Sequence, residues 1–234
     1  MQPIRLRMCL SKDEAIRFVS HLEYAKALER ALRRAKLPAA YSEGFNPHMK
    51  LSLASALAVG TTSRCEYAEV ELTEKRPLTE LTAGVAAALP PGMRLVQAIL
   101  VEGPMPKLMA VVAGAAYEVT LPFDGDEILL QQQIEAFLAM PSFPYEKRSP
   151  KGKATKQLDL RVLIRQLRVA VVENGQLCIA LQVAMPPAGT IKPLEALQAL
   201  QAYFHWTLPL ERALVERVEL FADRQGSWQP LLGG

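Results

Sequence analysis

The chain has 234 residues and a formal net charge of +3; half of the residues are hydrophobic and 22% are charged. This balance excludes a disordered or collagen-like chain and predicts a globular protein of one or two domains. No apolar run reaches the ~18 residues that span a bilayer, so no membrane partner is expected. The three cysteines are far apart, which predicts neither a disulfide framework nor a metal site. A reducing, cytoplasmic location is therefore expected.

The first hundred residues alternate between strand and helix patterns. Ser20 and Glu23 have the spacing of a capping box, which predicts the start of a helix that ends at Pro38. Its predicted apolar face consists of Leu22, Ala25, Leu28, Leu32 and Ala35. The other predicted elements are strands at 3–10, 16–19, 65–72 and 93–101 and a helix at 77–89.

The second half repeats a similar order after a boundary at Gly103-Pro104-Met105-Pro106. Asn174-Gly175 predicts a tight hairpin between strands at 167–172 and 177–185. The remaining predicted elements are strands at 115–122, 143–147 and 214–222 and helices at 126–140, 158–166 and 193–204. The predicted fold class is therefore α+β, with two ferredoxin-like (βαββαβ) units whose antiparallel sheets pack together. The predicted domains are 1–103, 104–222 with a basic insertion, and a loose tail at 223–234.

Eight basic residues lie between Lys147 and Arg168, opposed in that stretch by Asp159. If residues 158–168 are helical, Arg161, Arg165 and Arg168 share one face. Such a surface either is a solvated polar face or neutralises the phosphates of a polyanion. With the basic helix of the first half, the predicted polyanion contacts are Arg30, Arg33, Arg34, Lys151, Lys153, Lys156, Arg161 and Arg165.

The turn-rich segment 41–50 is poorly explained by packing, and polar groups on loops are common functional positions. The predicted binding loop contains Ser42, Glu43, Phe45, Asn46, His48 and Lys50. His48, His21 and Lys50 are the candidate catalytic residues, because a histidine titrates near neutrality and a lysine stabilises phosphate charge. The alternative interpretation is structural: Asn46-Pro47 forms a turn and His48 makes local hydrogen bonds.

The sequence has no zinc-ligand spacing, phosphate-binding loop, dinucleotide fingerprint or nucleophile elbow. No metal is therefore expected. Glu69 and Glu71 lie on one side of a predicted strand, where they form either an acidic or metal-binding pair or, more simply, an exposed polar sheet face.

Three segments of the chain together resemble a known bacterial family. They are RFVSHLEY at 17–24, ALERALRRA at 27–35 and YSEGFNPHMKLS at 41–52. This is a family of radical-SAM-associated domains of unknown function, whose members are fused to or encoded beside a radical SAM protein with a cobalamin-binding-like domain. The resemblance implies a radical SAM protein as partner. Its association with ribosomal genes implies an RNA or ribosome-related target.

The chain itself has no C-x-x-x-C-x-x-C triplet, the usual set of ligands for the radical SAM cluster. An iron–sulfur cluster and S-adenosylmethionine are therefore expected only in the partner, and no cofactor is expected in this chain. Three hypotheses follow: an accessory or substrate-binding module, an endoribonuclease-like or RNA-modifying enzyme that uses His21 and His48, and a structural protein-interaction domain.

Overall fold

A computed structural model of the chain describes residues 3–148, 155–185 and 189–232 and has a mixed α+β architecture. It contains two compact units: unit 1 is Met1–Val112 with Glu219–Gly234, and unit 2 is Ala113–Val218. Unit 1 contains strands β1 (Ile4–Lys12), β2 (Leu51–Leu53), β3 (Thr61–Leu72) and β4 (Leu95–Glu102) and helices α1 (His21–Arg34), α2 (Leu78–Ala88) and α3 (Leu108–Val111). The next elements are β5 (Val112–Pro122), α4 (Glu127–Ala139), β6 (Pro144–Arg148), β7 (Thr155–Asp159), α5 (Leu160–Leu163), β8 (Ile164–Glu173), β9 (Gln176–Ala184) and α6 (Pro193–Phe204). Strand β10 (Leu214–Arg224) leads back into unit 1, where β11 (Ser227–Pro230) follows.

In unit 1, β1 lies between β3 and β4 and pairs antiparallel with both, while β2 pairs antiparallel with β3. Alternate residues of β1 face the hydrophobic core, where Leu6, Met8 and Leu10 are fully buried. The residues between them, including Arg5 and Arg7, lie on the other face of the sheet because strand side chains alternate. This second face carries the charged residues described below.

Helix α1 begins as the sequence predicts, because both bonds of the capping box are present. The Glu23 N–H donates to Ser20 Oγ at 3.3 Å, and the Ser20 N–H donates to Glu23 Oε2 at 2.9 Å. The predicted apolar face is partly wrong, since Leu22 is 71% exposed. Tyr24 is buried instead, and its hydroxyl donates to the Ser11 carbonyl at 3.0 Å. The predicted strand at 16–19 is also wrong, since that region contains a 3-10 turn at Glu14–Ile16.

Unit 2 contains the antiparallel strands β5, β9 and β8, with β9 between the other two. Asn174 and Gly175 connect β8 to β9 with φ angles of 51° and 70°, as a two-residue hairpin turn requires. Strands β6 and β7 form a separate antiparallel pair. Helix α6 has the predicted bounds and ends at His205, which adopts a left-handed conformation.

The helix predicted at 158–166 is wrong. Asp159 caps only the four-residue helix α5, after which the chain continues as β8 and pairs with β9 from Ile164 onwards. This pairing buries Ile164 and Leu167 and satisfies their backbone groups, which outweighs the helical pattern. Arg161 thus lies on α5 while Arg165 and Arg168 lie on β8, so the three do not share a helical face.

The residues predicted as a loose tail form β11, which pairs antiparallel with β10. Leu231 and Leu232 are also buried, at 5% and 6% exposure, and Trp228 stacks on Phe221 with ring centroids 5.7 Å apart. Residues 227–232 therefore pack against β10 and its surroundings.

Candidate nucleic-acid interface and a charged cavity

The segment 41–50, here called the binding loop, has an anchored base and an exposed tip. Tyr41 and Met49 form an isolated β-bridge, and Met49 is buried. The Ser42 N–H donates to the His48 carbonyl at 2.8 Å, and the His48 N–H donates to Ser42 Oγ at 2.9 Å. These contacts close the base of the binding loop, and the buried Met49 anchors that base in the core of unit 1.

Phe45 is the most unusual residue of the binding loop, because its side chain is fully exposed. The preceding Gly44 has a φ of +118°, a conformation that side-chain-bearing residues rarely adopt. An exposed aromatic ring on a loop gains no free energy from packing in the free protein. It is available to stack on a planar ligand.

Helix α1 places a row of basic side chains beside this loop. Lys26, Arg30 and Arg33 follow one another at spacings of four and three, so they lie on one exposed face of the helix. The Arg33 guanidinium lies 5.6 Å from the centroid of the Tyr41 ring and also pairs with Glu29 at 2.6 Å. This contact joins the basic face of α1 to the binding loop. The combined basic and aromatic surface resembles those that hold single-stranded nucleic acids.

The predicted basic run of unit 2 is divided among several elements. Lys147 pairs with Glu195 at 2.8 Å, and its ammonium donates to the Thr190 carbonyl at 3.2 Å. Arg161 donates to the carbonyls of Met140 and Ile164 and lies over the Phe137 ring, at 5.1 Å from its centroid. These two residues therefore make structural contacts within unit 2.

The rest of that run lies on strands or outside the described residues. Lys156 on β7 and Arg165 and Arg168 on β8 are exposed. Lys151 and Lys153 lie outside the described residues. On α1, Arg30 and Arg34 are exposed, and Arg34 donates to the Ala88 carbonyl at 2.7 Å.

His21 lies at the N-terminal end of α1, whereas His48 lies on the binding loop, which contacts the last turn of the helix. His21 is the first residue of the helix, and the contact in the last turn is made by Arg33. Arg33 follows His21 by twelve positions in the helix, or about 18 Å along the axis. The catalytic role of His21 and His48 stays a prediction.

A cavity of about 310 Å³ opens on the charged face of the unit 1 sheet. Its lining residues are Lys50, Leu51, Ser52, Glu69, Glu71 and Lys107. The Arg7 Nε donates to Glu69 Oε2 at 2.7 Å, and the Lys50 ammonium lies 3.2 Å from Glu71 Oε2. Both Arg7 and Glu69 are almost completely buried, with side-chain exposures of 6% and 4%.

The segment after β4 accepts hydrogen bonds from two neighbouring arginines and contributes Lys107 to the cavity lining. Arg5 Nη1 donates to the Met105 carbonyl at 2.7 Å, and Arg7 Nη2 donates to the Pro106 carbonyl at 2.5 Å. These bonds hold the segment across the sheet face and place Lys107 at the cavity. Lys50 belongs both to the binding loop and to the cavity lining, so the two features are continuous.

The sequence patterns did not indicate Arg5 and Arg7 as site residues, and they favoured an exposed face of the sheet for Glu69. The register of the sheet provides the missing signal, because Arg5 pairs with Glu71 and Arg7 with Glu69 across β1 and β3. Basic residues at a spacing of two therefore meet acidic residues at a spacing of two. That match could have been found by testing antiparallel registers of the two predicted strands.

Cys9 and Tyr67 continue the same pairing along β1 and β3, and both are buried. Burial, together with the Glu219 carboxylate, raises the pKa of the Cys9 thiol to about 12. Burial also raises the pKa of Tyr67, whose hydroxyl donates to Glu219 Oε1 at 2.6 Å. Both groups therefore stay protonated at neutral pH and do not act there as nucleophile or base.

Unit 2 contains a smaller cavity of about 160 Å³ beside His205. The Trp206 indole N–H donates to Gln133 Oε1 at 2.6 Å, and Trp206 stacks on Phe204 with ring centroids 5.7 Å apart. These contacts use both the ring and the polar edge of the tryptophan in packing.

Within the described parts of the chain, no group of three or more histidine, cysteine, aspartate or glutamate side chains is arranged to hold a metal ion. Among the same residues, no helix is both long and apolar enough to cross a membrane.

Together, fold and site define a mixed α+β protein with a basic and aromatic surface that adjoins a charged cavity. The chain belongs to the bacterial family described as "Uncharacterized protein conserved in bacteria (DUF2344)", whose model matches residues 5–193. A search of curated proteins found no significant match.

Among solved structures, the chain is similar to one from "Crystal Structure of a Cbf5-Nop10-Gar1 Complex", with a TM-score of 0.50 and 10% identity over 92% of this chain and 48% of that chain. A second is "Structure of H/ACA RNP bound to a substrate RNA containing 2'-deoxyuridine", with a TM-score of 0.43 and 12% identity over 94% of this chain and 47% of that chain. The chain thus spans about half the length of these structures. At this identity, the similarity concerns the fold alone.

Proposed function

We propose that this protein is an RNA-binding accessory module that presents single-stranded RNA to a radical SAM protein. The observation that carries the RNA part is the Arg33–Tyr41 contact, which joins a basic helix face to a loop with a fully exposed aromatic tip. Basic side chains neutralise phosphates, and exposed aromatic rings stack on bases.

The two parts of the surface have separate tasks. Lys26, Arg30 and Arg33 present positive charge along one face of α1, where a phosphate backbone binds without regard to sequence. Phe45 stacks on an unpaired base, which a duplex does not offer. The combination therefore favours single-stranded over double-stranded RNA.

The radical SAM partner is supported by the sequence rather than by the site. The resemblance to radical-SAM-associated domains covers the helix and loop that form the surface, and the chain lacks the cysteine triplet for a cluster of its own. The partner would then supply the chemistry. We also propose a ferredoxin-like plan for each unit, supported in unit 1 by the pairing of β1 with β3 and β4 and of β2 with β3.

The direct test measures the affinity for a labelled single-stranded oligoribonucleotide by fluorescence anisotropy. Phe45→Ala removes one stacking platform, so affinity should fall by about 5- to 150-fold, which corresponds to about 1–3 kcal/mol. Arg30→Gln should weaken binding and reduce its salt dependence. Arg94→Gln is the matched control. Arg94 is an exposed arginine that lies on neither α1 nor the binding loop, and it pairs with Asp13, the residue after β1.

Equal affinities for the wild type, Phe45→Ala and Arg30→Gln would contradict the RNA-binding surface. Binding of duplex as tightly as single-stranded RNA would contradict the role of Phe45. The partner is tested by affinity purification from the native bacterium at low salt, with and without ribonuclease. Recovery of a radical SAM protein under both conditions supports the accessory role, and its absence under both contradicts it.

A further inference from the structure

We propose that the cavity beside Glu69 is a guanine-binding subsite of the RNA surface, which rests on the proposed function. In this subsite the Glu69 carboxylate accepts hydrogen bonds from the Watson–Crick edge of one unpaired guanine, and Lys107 donates to an acceptor of the same base. The subsite gives the otherwise sequence-independent surface a base preference.

Stability alone does not explain why these charges are buried. Arg7 and Glu69 have side-chain exposures of only 6% and 4%, and burying such a pair costs much of what its attraction returns. Apolar side chains of similar size stabilise a sheet face at least as well. Glu69 moreover lines an open cavity rather than a closed core.

The charged residues at the cavity have unused hydrogen-bonding capacity. Glu69 Oε2 accepts from Arg7, whereas Glu69 Oε1 lies 4.0 Å from Arg5 Nη1, which is beyond hydrogen-bond distance. The Arg5 Nε is buried without a hydrogen-bond partner among the described residues. Lys107 lines the cavity, and no described group accepts a hydrogen bond from its ammonium. The cavity thus offers a carboxylate acceptor and an ammonium donor to a ligand.

Guanine has the hydrogen-bond donors and acceptor that match this carboxylate and ammonium. A carboxylate has about four lone-pair sites, so Glu69 keeps Arg7 and still accepts from a ligand. Guanine carries two adjacent donors, N1–H and the N2 amino group, beside the acceptor O6. Adenine and cytosine have one amino donor next to ring acceptors, and uracil has one N–H between two carbonyls. Guanine therefore fits an acidic acceptor flanked by lysine better than the other three bases do.

The cavity adjoins the proposed path of the RNA. Its volume of about 310 Å³ reaches the lower end of the range for small-molecule sites, ≈ 300–1,000 Å³. Lys50 ends the binding loop and lines the cavity, where it pairs with Glu71. A strand held by α1 and the binding loop therefore passes the cavity mouth, and one unpaired base enters it.

The test first measures binding of the four nucleoside 5′-monophosphates by isothermal titration calorimetry. GMP should bind at least tenfold more tightly than AMP, CMP or UMP. Glu69→Gln should abolish this preference. Lys107→Gln, at an exposed position, should weaken GMP binding about fivefold, while Arg94→Gln should leave it unchanged. If Glu69→Gln does not fold, as judged by circular dichroism, the Lys107→Gln result decides.

A second arm compares oligoribonucleotides of equal length with and without a single guanine. A preference of at least fivefold for the guanine-containing strand, lost in Lys107→Gln, supports the subsite within RNA. Tight RNA binding without base preference, and no GMP binding, overturns the subsite but leaves the proposed function standing. Selective GMP binding with oligonucleotides no tighter than GMP keeps the guanine pocket and overturns the RNA role.

Discussion

The two most highly charged regions of the molecule arrange their charges in different ways. In unit 1, Arg5 and Arg7 on β1 lie opposite Glu71 and Glu69 on β3, and the cluster is largely buried around a cavity. In unit 2, those basic residues between Lys147 and Arg168 that the structure describes are spread over β6, β7, α5 and β8. Two of them make internal contacts, and others remain exposed.

The difference shows that pairing rather than the number of charges decides what a charged stretch becomes. Alternating charges of opposite sign on neighbouring strands can be desolvated together, since each buried ion meets its partner. A run of one sign has few such partners, so most of it stays in water. The densest basic run in the sequence is therefore not the most structured charged site.

The largest expected effect is on stability. Arg7→Ala leaves the Glu69 carboxylate buried without its partner, which should lower the free energy of unfolding by about 3–5 kcal/mol. Lys147→Ala breaks the partly exposed pair with Glu195 and should cost less than about 1 kcal/mol. Urea denaturation of both variants measures the difference. Equal losses would mean that the two charged regions are energetically alike.

A compensating variant sharpens this result. Replacing both partners of the buried pair, as Arg7→Met with Glu69→Leu, removes both charges from the sheet face. Stability should return to near the wild-type value or exceed it. A double variant as unstable as Arg7→Ala would show that the ion pair itself stabilises unit 1. Stability would then explain the buried charges, and they would no longer indicate a guanine site.

The second expected effect concerns the salt dependence of RNA binding. Lys26→Gln, Arg30→Gln and Arg33→Gln together remove three charges from the exposed basic face of α1. The slope of log affinity against log salt concentration should then fall by about 2, since each lost phosphate contact on a single strand contributes about 0.7. The matched variant with Lys156→Gln, Arg165→Gln and Arg168→Gln should leave the slope nearly unchanged. The reverse ranking would place RNA on unit 2.

A smaller expected effect distinguishes the thiols of the two units. Cys9 in unit 1 is 4% exposed, with a pKa raised to about 12, while Cys178 in unit 2 is partly exposed. In native protein at pH 8, a thiol reagent such as Ellman's reagent should modify Cys178 well before Cys9. Equally fast modification of both would show that unit 1 opens readily.

The same pKa predicts a loss of stability in alkali. The unfolded thiol loses its proton above about pH 9, whereas folded Cys9 keeps its proton up to about pH 12. The folded state then binds more protons, so stability falls as pH rises through this window, by about 1 kcal/mol at pH 10. Cys9→Ala should flatten the fall between pH 9 and 10 in urea denaturation. An unchanged pH profile would contradict the raised pKa.

Elements specified by local signals were predicted well from the sequence. The capping box of α1, the Asn174-Gly175 hairpin and the bounds of α6 are confirmed, since each depends on residues close in the chain. The helix predicted at 158–166 was wrong because pairing with β9 decided the conformation there. The apolar pattern of a short segment does not reveal the strand that will lie beside it.

The candidate site was predicted in part. The sequence indicated the binding loop and the basic residues of α1, because turn signals and helical spacing are local features. It did not indicate the Arg33–Tyr41 contact or the cavity beside Glu69. Both depend on elements that are distant in sequence.

The sequence by itself determined where α1 is capped, where the hairpin turns and which residues of α1 are basic. Only the tertiary structure decided that Arg7 meets Glu69 and that the segment before Lys107 crosses the sheet face. The physical reason is that capping and turn formation involve a few neighbouring residues, whereas burial of a charge depends on a partner that the register of a sheet brings from 62 residues away.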